Sequence, residues 1–238
     1  MSLTDRLFRP LLSQPARPLI THYDDAAGTR VELSVATLAN WAAKTANWLV
    51  DEFDVEPGDE VAVLLPAHWQ TAGVLLGAWW CGAHVVAEPT GARVAFVTPD
   101  GTGGTAAGGT AVAVVALDPL GRGLASAPPE GALDYLAEAR LSGDQFSPLS
   151  PIGGDTPALA SSTVDELVER ARERATELGI AAGDRVLSTL EWSIPGGLVD
   201  GLLAPLVAGA NLVQVTNADP ARLADRRRAE RTTVDLLA

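Results

Sequence analysis

The chain has 238 residues, 47% of them hydrophobic but only 5% aromatic, with 23 glycines, a composition suited to an α/β protein in which small residues let helices press onto a sheet. Its 30 acids against 17 bases give a net charge of −13, a field that repels nucleic-acid phosphates and anionic membrane surfaces and argues against both as partners. The single cysteine, Cys81, excludes a disulfide framework within the chain and fits a reducing, cytoplasmic compartment.

The N-terminal MSLTDRLFRPLLSQPARPL reads as a loose lead with neither a long apolar core nor a small-residue cleavage site, hence no secretion signal. RVEL (residues 30–33) reads as a short strand after the turn DDAAGT, and Ser34 as the cap of the helix VATLANWAAKTANWLVDEF. In that helix Leu38, Trp41, Ala42, Thr45, Trp48 and Leu49 recur at helical spacing. VEPGDE then gives a turn, VAVLL a buried strand, TAGVLLGAWWCG a helix and HVVAE a strand. RVAFVT and AVAVVAL add two strands around the glycine-rich connector PDGTGGTAAGGT, GALDYLAEARL is helical, and residues 147–162 form a loop by composition. Thr163 and Glu166 make a capping box for VDELVERARERATEL. GDRVLSTL is a strand, GGLVDGLLAPLVAG a helix and NLVQV a strand; DPARLADRRRAER is a helix and TTVDLL a closing strand. Residues 61–87 carry no charged side chain, which is long enough for a membrane span. PAHWQ interrupts the run, however, and the matching later helix contains Asp200, so a buried α/β unit is the better reading.

Two stretches share one grammar. GDEVAVLLPAHWQTAGVLLGAWWCGAHVV (residues 58–86) and GDRVLSTLEWSIPGGLVDGLLAPLVAGANLV (residues 183–213) both run Gly-Asp, strand, proline break with tryptophan nearby, helix, Gly-Ala, strand. This predicts two copies of one supersecondary unit with parallel strands and right-handed crossovers. The fold class is therefore α/β: two related halves with a mostly parallel sheet, divided as residues 1–146, a linker at 147–162 and residues 163–238, packed as one body or as two.

That grammar resembles the N-terminal part of the AMP-forming adenylating enzymes, which include acyl-CoA synthetases, amino-acid adenylation domains and luciferases. The resemblance rests on VELSVATLANWAAKTANWLVDEFDVEPGDEVAVLLPAHWQTAGVLLGAWWCGAHVV and LGIAAGDRVLSTLEWSIPGGLVDGLLAPLVAGANLVQV, roughly half of the chain. It implies a domain built from two similar α/β subdomains and, in a complete enzyme, use of ATP, magnesium and CoA on a carboxylic acid.

The departures bear on that activity. The family's phosphate loop is rich in Ser, Thr and Gly and ends Pro-Lys-Gly before a helix; its amides and hydroxyls hold phosphates and its lysine adds charge. Here that place reads SPIGGDTPALASS, with Gly153, Gly154, Thr156, Ser161 and Ser162 but an aspartate and no lysine; Lys44 is the only lysine in the sequence. Thr156, Ser161 and Ser162 are the candidates for any residual cofactor contact. The family's Pro-aromatic-His loop, which lines its acyl pocket, is replaced by EWSIPGG, which puts Trp192, Ser193, Pro195, Gly196 and Gly197 at a candidate ligand cleft at a strand end. The sequence ends before the family's later motifs and mobile domain.

Other features carry less. GTGGTAAGG is followed by a strand rather than a helix start and reads as a connector, not a nucleotide loop. His22, His68 and His84 have no metal-ligand spacing. Cys81 reads as a small core residue, Trp41, Trp48, Trp69, Trp79 and Trp80 as core or interface, and Arg226 to Arg228 as a solvated face. The expectation is a pseudoenzyme: an acyl-CoA synthetase-like binding or partner module without catalytic residues, metal or cofactor of its own. Its partner would be a second copy, another protein or a small acyl ligand. The alternatives are an AMP-forming ligase with an unorthodox loop or a complementing chain, and a structural oligomer.

Overall fold

The computed structural model describes residues 1–104 and 109–238, apart from the side chains of residues 102–104, so the centre of the glycine-rich connector lies outside the described residues. The first elements are helix α1 (Leu3–Leu11), strands β1 (Pro18–Asp24) and β2 (Thr29–Ser34), and helix α2 (Val35–Phe53). Strand β3 (Glu60–Leu64), helix α3 (Trp69–Cys81) and strands β4 (His84–Val86) and β5 (Val94–Val97) follow. Next come strands β6 (Ala111–Val114) and β7 (Ala132–Asp134), the short helix α4 (Tyr135–Ala139), strands β8 (Pro157–Leu159) and β9 (Ser162–Thr163), and helix α5 (Val164–Glu177). The last part runs through β10 (Arg185–Ser188), the helical turns α6 (Gly196–Leu198) and α7 (Ala204–Ala208), β11 (Asn211–Thr216), α8 (Leu223–Glu230) and β12 (Val234–Leu236). No helix among the described residues is long and apolar enough to cross a membrane.

The chain divides into two units: Met1–Arg6, Ala39–Leu65 and Gln70–Leu167 form one, and Leu7–Leu38, Pro66–Trp69 and Val168–Ala238 the other. The first holds a sheet of order β7-β6-β5-β3-β4-β8-β9 and the second a sheet of order β12-β10-β11-β1-β2. Both are parallel except at one edge, where β9 pairs antiparallel with β8 and β2 with β1. Parallel strands are covered on both faces and read as continuous apolar runs. Val94, Ala95, Phe96 and Val97 of β5 are all buried, as are Ala62, Val112 and Val114 beside them.

The two copies agree bond for bond. Val61 of β3 pairs in parallel register with Val85 of β4 and Val94 of β5; Val186 of β10 pairs in the same way with Leu212 of β11 and Val234 of β12. The Asp59 side chain accepts the Glu56 amide at 3.0 Å, and Asp184 accepts the Ala181 amide at 2.7 Å. The backbone carbonyls of the same two aspartates receive the amides of His84 and Asn211, each at 2.8 Å. Gly58 and Gly183, at φ 96° and 89°, occupy the left-handed conformation that makes glycine the residue before each aspartate.

The repeat extends further back than the sequence grammar suggested. In each copy a β-hairpin precedes the helix, and their registers match: Pro18 opposes Ser34 and Ile20 opposes Leu33, while Pro157 opposes Thr163 and Leu159 opposes Ser162, each with an irregularity between. The hairpin leading into α2 joins the sheet of the second copy, through β1 against β11. The hairpin leading into α5 joins the sheet of the first copy, through β8 against β4. The halves have exchanged hairpins.

Four local expectations change. Ala132–Asp134, expected to open a helix, is strand β7, and the helix begins at Tyr135. The N-terminal lead is ordered: Leu3, Leu7, Phe8 and Leu11 of α1 are buried at helical spacing, and β1 is a central strand whose residues 19–23 are all buried. Residues 147–162 contain β8 and the start of β9, strands so short that the Ser, Thr, Pro and Gly around them dominate the composition of the segment. The helix expected after β10 is interrupted by a π turn at Val199–Leu203, where the Ala204 amide reaches back to the Val199 carbonyl. Pro205, which has no N–H to donate, follows directly and favours that irregularity.

Candidate functional site

Two stretches carry the candidate residues, one in each unit. The first is the approach to α5. The Thr156 carbonyl accepts the Val164 amide at 3.0 Å, and the Gly154 carbonyl accepts the Asp165 amide at 2.8 Å. Thr163 Oγ1 accepts the Glu166 amide at 3.4 Å while Glu166 Oε2 accepts the Thr163 amide at 2.9 Å, which is the expected capping box. The first three amides of the helix, the groups that would hold a phosphate, are thus satisfied within the chain. The same bonds recur at α2, where Arg17 and Pro15 carbonyls accept the Val35 and Ala36 amides, each at 2.9 Å, and Ser34 caps Thr37 at 3.2 Å. The loop before α5 is therefore built as a structural turn.

The named side chains here point to the same conclusion. Thr156 Oγ1 accepts the Gly153 amide at 3.1 Å, Ser162 lies in β9 and Ser161 is exposed in the two-residue turn between β8 and β9. Ala158, after Pro157, is buried, and its carbonyl accepts the Trp79 indole N–H at 2.8 Å. Asp155 is exposed, and Asp165 in the first turn of α5 pairs with Arg6 at 2.5 Å. A Cβ at Gly154 would meet the Asp165 carboxylate, which would have to turn aside. Lys44 donates to the carbonyls of Arg140 and Ser142 at 3.1 and 2.6 Å, pinning a loop. A nucleoside triphosphate would meet the Asp155 carboxylate, an Asp165 already paired with Arg6, no lysine and an amide set already used. The residues do not fit the group.

The second stretch follows β10. Trp192 is 5% exposed and its ring lies against Gly201, where an added Cβ would sit 2.7 Å from the indole Cδ1. Ser193, Pro195 and Gly196 are exposed and Gly197 is half-buried, so they form a surface rim around a buried ring. Gln214 Nε2 donates to the Leu190 carbonyl at 3.1 Å and fixes the start of this stretch. Sequence reading missed Gln214 and Gly201. Both lie inside elements whose period marks them only as core.

Among the described residues, two cavities lie in the first unit. One, of about 770 Å³, opens at the carboxyl ends of β5 and β6 between Val114, Leu117, Gly123, Leu124 and Pro128. The other, of about 200 Å³, is lined by Val55, Pro57, Cys81, Phe146 and Leu149. Neither includes residues 192–197. Burial pushes the Cys81 thiol up to about 12, so it is a core residue rather than a nucleophile.

The remaining features are structural. Trp48, Trp69 and Trp79 are buried, and Trp80 donates to Asp5 at 3.1 Å. Arg226, Arg227 and Arg228 pair with Asp25, Asp235 and Asp225 respectively. Burial opposes ionisation of Asp25, but Arg226, the Asp219 amide and Arg222 outweigh it and hold the carboxyl below its usual range. Glu230 is likewise buried yet held low by Arg30, Tyr23 and Arg185. No group of three or more His, Cys, Asp or Glu among the described residues is placed to hold a metal.

No family model matches the chain. A TIGR03089 family protein of Mycobacterium tuberculosis is 47% identical over 239 residues, covering 98% of this chain and 97% of that one. A sulfoacetate–CoA ligase of Cupriavidus necator is 32% identical over 184 residues, 66% of this chain and 34% of the ligase. The crystal structure of a Brucella canis acyl-CoA synthetase superposes with a TM-score of 0.80 at 18% identity, covering 100% of this chain and 47% of the synthetase. The chain thus spans about half of the synthetase and a third of the ligase. Its fold is that of the N-terminal half of acyl-CoA synthetases.

Proposed function

The chain belongs to the TIGR03089 family, and on that premise we propose that it is an acyl-CoA synthetase-like protein of the cytoplasm that acts as a binding or partner module and does not adenylate carboxylic acids by itself. One observation carries the reading: the amides of Val164, Asp165 and Glu166 at the start of α5 are all bonded within the chain, beside Asp155 and with no lysine nearby. Adenylation needs the triphosphate held and its charge neutralised as pyrophosphate leaves. Removing one such donor typically costs about 10² to 10³ in rate. A loop that offers neither the lysine nor the leading amides is suited to another task. Its partner would be a second copy, another protein or a small acyl ligand at the Trp192 rim.

A second reading is favoured by the 32% identity with a CoA ligase. On it, the chain is an AMP-forming carboxylic acid ligase that binds ATP, magnesium and CoA through an unorthodox loop or together with a complementing chain.

Pyrophosphate release by the purified protein, with sulfoacetate and short, medium and long carboxylic acids plus CoA, distinguishes the two. No turnover is expected. Turnover in the pure protein that disappears in a Thr156, Ser161 and Ser162 to Ala variant would overturn the module reading, and turnover only with a second protein would establish the complemented ligase.

A further inference from the structure

On the sheet of the second unit, Ser188 of β10 opposes Gln214 of β11, and Gln214 opposes His22 of β1. Register partners on adjacent parallel strands project from the same face, so these three polar side chains form one row. They are 0%, 1% and 1% exposed. The opposite face holds the apolar cluster of Tyr23, Leu187, Val213 and Val215. A polar row inside a sheet is costly unless each of its atoms has a partner.

The hydrogen bonds assign each atom a role. Thr216 Oγ1 has one hydrogen, and it goes to the Ala67 carbonyl at 2.7 Å. Thr216 Oγ1 lies 2.8 Å from His22 Nε2, so the imidazole nitrogen is the donor in that contact. Burial lowers the His22 pKa to about 4, which leaves the ring neutral near pH 7 with its single proton on Nε2. Nδ1 is then a bare acceptor, buried and without a hydrogen-bond partner among the described residues. Gln214 is oriented by its bond to the Leu190 carbonyl, since a flipped amide would set oxygen against oxygen. Its Oε1 is therefore also a buried acceptor without a partner among the described residues. The His68 ring closes over His22 edge-on, with centroids 4.3 Å apart.

Two adjacent acceptors call for one species with two hydrogens to give. We propose that His22 Nδ1 and Gln214 Oε1 form a site for a single buried water molecule that donates one hydrogen to each. Adjacent strands lie about 4.8 Å apart, a spacing that one bridging oxygen spans. An anion would present lone pairs to lone pairs, and the row contains no carboxylate to hold a metal cation. Because Gln214 also holds the Leu190 carbonyl, the water steadies the stretch that leads to Trp192. The site is independent of whether the protein adenylates anything.

The histidine ring region of the nitrogen-15 spectrum of the labelled protein tests this, with a high-resolution crystal structure beside it. The expected result is a proton on His22 Nε2, an Nδ1 resonance at the position of a hydrogen-bonded acceptor, and ordered water density within hydrogen-bond distance of both acceptors. In Gln214→Met the Nδ1 resonance should shift. A proton on Nδ1, or an Nδ1 resonance of a free acceptor with no density beside it, overturns the proposal on the wild-type protein alone, whether or not the variant folds.

Discussion

The Thr156 carbonyl accepts the Val164 amide at 3.0 Å, and the Arg17 carbonyl accepts the Val35 amide at 2.9 Å. One bond made twice identifies the segment before α5 as the counterpart of the segment before α2, a turn that caps a helix. What distinguishes an adenylating loop from such a turn is whether the amides face a ligand or the chain.

Titration calorimetry with ATP and magnesium should therefore show no binding in the micromolar range. Asp155 would repel the phosphates with no lysine to offset it, while Asp165 is already paired with Arg6; between exposed charges about 4 Å apart the repulsion is about 1 kcal/mol. Micromolar affinity would mean that other amides of the loop hold the nucleotide.

The Gly-Asp turns should be sensitive to the aspartate in both copies. Asp184 accepts Ala181 N–H at 2.7 Å and Thr233 O–H at 2.8 Å; Asp59 accepts Glu56 N–H at 3.0 Å and Arg93 Nε–H at 3.1 Å. Asp184→Ala and Asp59→Ala should each cost about 1–2 kcal/mol in urea unfolding, and the Asn variants less. A loss indistinguishable from zero at either position would show that the turn is held by its backbone bonds alone.

Gly201→Ala should displace Trp192, because the new methyl would sit 2.7 Å from the indole Cδ1. Overpacking of this kind costs about 1–3 kcal/mol. Gly196→Ala, with open space around it, is the control and should change the melting temperature little. Equal effects of the two substitutions would contradict the packing described for Trp192.

Stability should fall as pH drops from about 6.5 towards 4. The folded state holds His22 near pKa 4 chiefly by burial, against the attraction of Asp24 and of the nearby Ala67 carbonyl, whereas the unfolded chain titrates near 6.5. Between these values the unfolded state binds the extra proton, so the contribution is complete above 6.5 and declines through the window, by on the order of 3 kcal/mol. Denaturant midpoints across this range should slope for the wild type and flatten for His22→Gln. Asp25 and Glu230, held below the usual carboxylate range, add their losses at lower pH.

Sequence alone determined the α/β class, the internal repeat, helices α2 and α5 and the strands of the two Gly-Asp units. Those features are local: apolar periods, a Gly-Asp turn and a Thr163–Glu166 capping box each act over a few residues. The same local reading found the missing lysine, since absence from a short loop is visible in one dimension. It placed Trp192 after a strand but could not tell that the ring turns inward against Gly201, a residue nine positions later in the chain. Only the tertiary structure decided that β1 and β8 are strands and which sheets they join. β8 has three residues and pairs with β4, more than 70 positions earlier, so its pattern is too short to stand out. Nor did sequence show that Ser188, Gln214 and His22 share a row, because register between strands distant in the chain is set by which faces are buried. Periodicity told which residues go inside; pairing alone told which of the buried polar atoms would face one another.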